Sequence, residues 1–181
     1  MAPLNWQRQP VLVCQLPLSS SQLTRKVKVR SGKFEKMDSV VDLFAGTGQL
    51  GIEAMSRGAT HAVFCDNAKE SLEIVRKNLK KTGFDGDARV LFCDYKRFLK
   101  YEANREYDVI FVDPPYHVGL ADRALKQIGQ LPVLAKTGIV VVECAREEEK
   151  PAEEGSLVLR RRYDYGTVSV LIYVRKDRED Q

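Results

Sequence analysis

Two short stretches hold the residue types that chemistry needs. In the first, Val40-Val41-Asp42-Leu43-Phe44-Ala45-Gly46-Thr47-Gly48-Gln49-Leu50-Gly51, a β-branched pair runs into a carboxylate, then a glycine-punctuated turn, then a run of helical character. Gly46 and Gly48 can take positive φ and put no side chain between the backbone and a bound molecule. The helix start beyond them offers N–H groups without intrahelical partners. In the second stretch, Asp113-Pro114-Pro115-Tyr116 follows the strand-like run 107–112. Successive prolines fix φ twice and end the strand, and the pre-proline restriction keeps Asp113 extended. Asp113 is thereby presented rigidly at a strand end, with an aromatic ring behind it.

The residues themselves say what the first stretch would hold. Gly46-Thr47-Gly48-Gln49-Leu50-Gly51 satisfies the letters of the dinucleotide fingerprint G-x-G-x-x-G, a weak signal alone, and no Gly-Lys-Ser/Thr of a P-loop is present. Asp42 just before the glycines is a poor neighbour for a pyrophosphate and a good one for a cation. S-adenosylmethionine carries an ammonium and a sulfonium and no phosphate. Asp42 also sits at a strand's carboxyl end, where open α/β sheets bind ligands. Two further acids end strand-like runs, Asp66 after 62–65 and Asp94 after 88–93. Asp66 can take the hydroxyls of a ribose, or it or Asn67 can cap a helix predicted over 69–81. Asp94 can accept a hydrogen bond from an adenine amino group or cap a helix over 95–101; the residues leave both open.

DLFAGTG followed by DPPY resembles the class I S-adenosylmethionine-dependent amino-methyltransferases. More narrowly, DLFAGTGQLGIEAMSRGA, residues 42–59, resembles the RsmD family, which methylates the N2 amino group of a guanine in small-subunit (16S) rRNA. The resemblance extends over residues 34–174 and returns in Tyr165-Gly166-Thr167. It implies a Rossmann-like fold with S-adenosylmethionine as cofactor, held by Asp42, Phe44, Ala45, Gly46, Thr47, Gly48, Asp66, Asn67, Asp94 and Tyr95. It implies transfer chemistry at Asp113, Pro114, Pro115 and Tyr116. Thr24-Arg25-Lys26-Val27-Lys28 matches part of the family's amino-terminal segment, but Val29 stands where the family has an acid, and the apolar helix that follows there is missing or cut short.

An exocyclic guanine amine is a poor nucleophile, because its lone pair is conjugated into the ring. An acceptor must hold an amino hydrogen and draw that lone pair out. Asp113 is the candidate, with the carbonyl of Pro114 as second acceptor and Tyr116 as a face for the base. Three other readings compete: an adenine-N6 methyltransferase on RNA or DNA, a protein-glutamine methyltransferase (where Asn usually replaces Asp113), and a non-catalytic RNA-binding relic.

Elements must position these residues. From residue 39 strand and helix alternate, which argues an α/β fold: a mostly parallel seven-stranded sheet with helices on both faces. The run 138–144 is continuously apolar and belongs at the centre, with Glu143 near its end as a supporting acid or a rim charge. Segments 157–165 and 167–174 alternate around Gly166 and predict a C-terminal antiparallel hairpin. On it, Arg160, Arg161 and Arg162 are RNA-contact candidates, and alternation would send them to both faces.

The chain of 181 residues divides into an arm over 1–38, a methyltransferase domain over 39–175 and a disordered tail over 176–181. The net charge is +4, and residues 1–34 hold no Asp or Glu and six basic residues, Arg25, Lys26 and Lys28 among them. An RNA-contacting arm is the leading reading; a transit peptide and a solvated tail are the others. Four scattered cysteines without C-x-x-C read as reduced thiols in a cytoplasmic protein. No apolar run approaches a membrane span and no metal-ligand pattern stands out. The expected partner is rRNA or a small-subunit assembly intermediate, met by a monomer.

Overall fold

The computed structural model describes residues 38–178. Strand and helix alternate through β1 (Ser39–Asp42), α1 (Gln49–Ser56), β2 (His61–Asp66), α2 (Lys69–Thr82), β3 (Ala88–Phe92), α3 (Tyr95–Tyr101), β4 (Tyr107–Val112), α4 (Leu120–Gln130) and β5 (Leu134–Ala145). Then come β6 (Glu153–Glu154), β7 (Leu157–Tyr165) and β8 (Val168–Arg175). In space the order is β3-β2-β1-β4-β5-β8-β7-β6. β1 to β5 pair in parallel, and β8, β7 and β6 add antiparallel. The seven principal strands and the terminal hairpin are those expected; the two-residue β6 is an addition at the edge.

Period-two alternation builds a core on each face. Val41, Ile110, Val140 and Leu171 point into the cluster shared with α3 and α4. Their neighbours Val40, Phe111, Val141 and Ile172 point into the cluster shared with α1 and α2. Burial on both faces is why these strands read as unbroken apolar runs, and each such side chain contributes about 1.5–3 kcal/mol when removed from water. The helices after β1 and β4 lie on opposite faces, so the sheet's topological switch point falls between these two strands, and the crevice beyond their carboxyl ends is where such sheets hold ligands.

The structure refines one expectation and corrects another. The register of β7 on β8 slips between Leu159 and Arg161, so Arg160 is an extra, bulged residue. The bulge offsets the alternation at Arg160; Arg161 is level with Ile172 and Arg162 with Leu171, which belong to the cores on opposite faces, so these two arginines do face both ways, and all three are exposed. Beyond β8, residues 176–178 turn back onto the sheet: the Lys176 amide donates to the Ser156 carbonyl (2.8 Å) and the Arg178 amide to that of Arg175 (3.2 Å). The arm with Arg25, Lys26 and Lys28, and residues 179–181, lie outside the described residues. Cys65, Cys93 and Cys144 are free thiols.

Candidate active site

The loop from Leu43 to Gly48 is strapped to both strands that flank β1. The Leu43 amide donates to the Phe111 carbonyl of β4 (3.1 Å) and the Ala45 amide to the Cys65 carbonyl of β2 (2.9 Å). The Asn78 side chain of α2 donates to the Thr47 carbonyl (2.9 Å). Gly48, at φ 82°, is the N-cap of α1. Gly46 has φ 51°, and a Cβ there would meet nothing nearer than the Phe44 carbonyl at 4.0 Å, so this side of the loop is open. Gly51 serves packing instead: a Cβ would stand 2.3 Å from the Phe64 ring.

Asp66 uses both carboxylate oxygens on this frame, accepting from the Gly46 amide (2.8 Å) and the Ala68 amide (2.8 Å). The N-cap of α2 is Ala68, so neither Asp66 nor Asn67 caps that helix. Asp94 does cap α3, accepting from the Arg97 amide at 2.8 Å. The Tyr95 ring is buried against Phe44, centroids 5.3 Å apart.

The register brings three carboxylates together. Asp42 is level with Phe111, Phe111 with Val141, and Val112 with Val142. Asp113 and Glu143 therefore lie side by side two residues beyond Asp42, on the face that carries Val40, Phe111 and Val141. Asp42 is 1% exposed; one of its oxygens accepts from the Gly51 amide (3.3 Å), the other has no partner. Burial pushes its pKa up to about 7, against the pull of hydrogen bonds from the Gly51 and Phe44 amides, with the Asp66 charge adding to the rise. Burial, then the charges of Glu143 and Asp42, hold the Asp113 carboxyl well above its ordinary range. Glu143 is 4% exposed and accepts a 2.5 Å hydrogen bond from the Tyr116 hydroxyl. Like charges at close quarters favour protonated forms, and a nearby cation would favour the ionised ones.

The DPPY loop is anchored from beyond β5. His117 takes a left-handed φ of 61°, and its amide donates to Glu148 (2.7 Å). Glu148 in turn pairs with Lys150 (2.6 Å), whose side chain is 2% exposed and also reaches Asp122 of α4 (3.0 Å). Glu143, expected as a supporting acid or a rim charge, holds Tyr116; Glu148 and Lys150 are residues that sequence reasoning did not single out. Of the hairpin arginines, Arg162 is engaged within the fold, by Asp164 (2.9 Å), the Arg146 carbonyl (2.6 Å) and Ser169 (3.0 Å). Among the described residues, no cluster of His, Cys, Asp or Glu is disposed to hold a metal ion, and no helix is long and apolar enough to cross a membrane.

The family model described as "Conserved hypothetical protein 95", that of the RsmD family, matches residues 23–174. The chain belongs to this family. Among its relatives is the Escherichia coli ribosomal RNA small subunit methyltransferase D, 31% identical over 136 residues, which are 75% of this chain and 68% of that one. The Bacillus subtilis protein YlbH, assigned provisionally as an rRNA methyltransferase, is 39% identical over 138 residues, 75% of each chain. A solved Haemophilus influenzae protein, provisionally described as a methylase, superposes with a TM-score of 0.75 at 26% identity, covering 86% of this chain and 98% of that one. The family match begins inside the basic arm and ends at the penultimate residue of β8.

Proposed function

We propose that this chain transfers a methyl group from S-adenosylmethionine to the N2 amino group of a guanine in small-subunit rRNA, as a cytoplasmic monomer acting on rRNA or a subunit assembly intermediate. Membership of the RsmD family supports the reaction class. The single observation that carries the reading to particular residues is the row Asp42, Asp113 and Glu143 beside an open glycine loop.

S-adenosylmethionine would supply an electrophilic methyl carbon on a positively charged sulfur. The orphaned oxygen of Asp42 and the open side of Gly46 fit such a ligand. Ionised Asp42 would face its positive end. Asp66 and Asp94 line the same sheet edge and retain lone pairs for a ribose and an adenine amine. Phe44, Ala45, Thr47, Gly48, Asn67 and Tyr95 complete the cradle through backbone and ring surface. Asp113 accepts one hydrogen of the guanine amine and the Pro114 carbonyl the other. The nitrogen lone pair is thus drawn out of conjugation, and Asp113 is positioned to take the proton that the amine must lose on gaining a fourth substituent. Such positioning and electrostatic preorganisation contribute several kcal/mol. Pro115 stiffens the loop. Tyr116, held by Glu143, offers a stacking face worth ~1–3 kcal/mol to a base turned out of its stack.

The test is transfer of tritiated methyl to separated rRNA, DNA and protein, followed by nucleoside analysis. The expected product is N2-methylguanosine in small-subunit rRNA. N6-methyladenosine, or label confined to protein, would overturn the reading.

A further inference from the structure

The side wall formed by β3 and α3 has features that the proposed chemistry does not use. β3 is the outermost strand of the parallel half of the sheet. Phe92 at its end is 54% exposed, and Tyr101 at the end of α3 is 72% exposed. A cation stands by each ring: Lys69 Nζ lies 5.3 Å from the Phe92 centroid and the Arg97 guanidinium 5.6 Å from that of Tyr101. Between strand and helix lies a cavity of about 370 Å³, lined by Leu91, Cys93, Arg97, Phe98, Tyr101 and Glu102. α3 carries Lys96, Arg97 and Lys100 and no acid. Neither Lys96 nor Lys100 has an acidic partner among the described residues. Glu102, the cavity's acid, is neutralised by Arg89 (3.0 Å) and Arg105 (3.1 Å) and accepts from the Tyr107 hydroxyl (2.9 Å).

We infer that the β3–α3 wall is an RNA-contacting surface distinct from the methylation site, one that admits an unpaired nucleotide of the substrate strand. The inference rests on the rRNA reading above. Single-stranded RNA is recognised by stacking bases on aromatic rings and guanidinium planes. An exposed tyrosine with an arginine over it, at the rim of a largely apolar cavity, is such a platform. Lys96 and Lys100, free of acids, are placed for the flanking phosphates, whose contacts dominate nucleic-acid affinity. The surface carries the charge complementarity that the hairpin offers only in part, since Arg162 is already held by Asp164.

The full chain tests this as two variants, Tyr101→Ala and Lys96→Ala/Arg97→Ala/Lys100→Ala. All four side chains are exposed, so thermal melting should match wild type. The control is Arg76→Ala/Lys77→Ala/Lys80→Ala, which removes as many positive charges from the exposed face of α2. Binding of a small-subunit rRNA fragment is measured across salt, together with methyl transfer and the Kd for S-adenosylmethionine. The α3 triple variant should bind RNA at least tenfold more weakly, with a salt slope shallower by roughly 0.7–0.9 per lost contact. Tyr101→Ala should bind roughly tenfold more weakly at an unchanged slope. The control should lose less than either, and S-adenosylmethionine binding should hold throughout. Equal losses in the control and α3 triple variants would reduce the effect to diffuse charge and overturn the inference, as would wild-type affinity in Tyr101→Ala. A wild-type enzyme that methylates no rRNA would overturn the proposed function itself; one that methylates rRNA while the α3 variants bind normally would overturn this surface alone.

Discussion

Asp42 makes a prediction with two opposite signs. Its folded pKa is about 7, against an ordinary value of 3.8. Between those values the folded state holds a proton that the unfolded state has lost, so the unliganded protein loses stability as pH rises from about 4 to about 7 and is flat above. A cationic ligand prefers the ionised carboxylate, so the affinity for S-adenosylmethionine should rise with pH over the same window, by up to about tenfold per unit, and then level off. In Asp42→Asn both slopes should shrink, measured by melting without ligand and by calorimetry with it; a pH-independent Kd in the wild type would remove Asp42 from the binding site. Asp113 and Glu143 divide differently. Asp113→Ala should cost more than tenfold in turnover, over ~1.4 kcal/mol in the barrier, with S-adenosylmethionine bound within a few-fold. Glu143→Ala and Tyr116→Phe each break one hydrogen bond, and each should raise the KM for RNA roughly tenfold, as befits a hydrogen bond to a charged group. Glu143→Gln keeps an acceptor and should recover most of that loss. The double variant Glu143→Ala/Tyr116→Phe should be little worse than either single one, because both remove the same contact.

At the scale of elements, the loop's geometry depends on how closely α1 lies on β2. Gly51→Ala would drive a methyl into the Phe64 ring, itself wholly buried. Overpacking of that kind costs ~1–3 kcal/mol, which at this size lowers Tm by roughly 2–4 °C per kcal/mol. Gly46→Val meets no such wall, but at φ 51° a β-branched residue is strained and costs stability too; the Kd for S-adenosylmethionine should rise as the side chain fills the loop's open side. Calorimetry on the two variants separates the roles: one glycine seats the helix, the other leaves room for the ligand. If Gly46→Val binds S-adenosylmethionine as wild type does, the loop is not the cradle.

For the whole molecule, charge is the coordinating variable. Residues 1–34 hold six of the chain's 29 Lys and Arg residues and none of its 25 Asp and Glu. Replacing Arg25, Lys26 and Lys28 together by Ala should flatten the salt dependence of RNA binding, by roughly 0.7–0.9 per lost phosphate contact, and raise the KM for RNA. The Kd for S-adenosylmethionine should not change. Removal of residues 1–33 without effect on RNA binding or its salt slope would make the arm an address or a passive tail.

The sequence by itself determined the order of elements, both motifs and the family, because glycine and proline act on their own backbone and because strands buried on two faces must be apolar throughout. It also left two readings of Asp94, and the structure supports the helix cap through the Arg97 amide, an interaction within four residues and so local. What only the tertiary structure decided depends on pairing between distant segments. Glu143 stands beside Asp113 because β4 and β5 are in one particular register, and register is set by which apolar faces meet, not by the residues adjoining a carboxylate. Asp66 ties down Gly46 as well as the Ala68 amide beside it, since the loop from β1 returns across the end of β2. The bulge at Arg160 comes from one extra residue in β7 against β8. No local pattern around three successive arginines specifies which of them the register of the opposite strand skips.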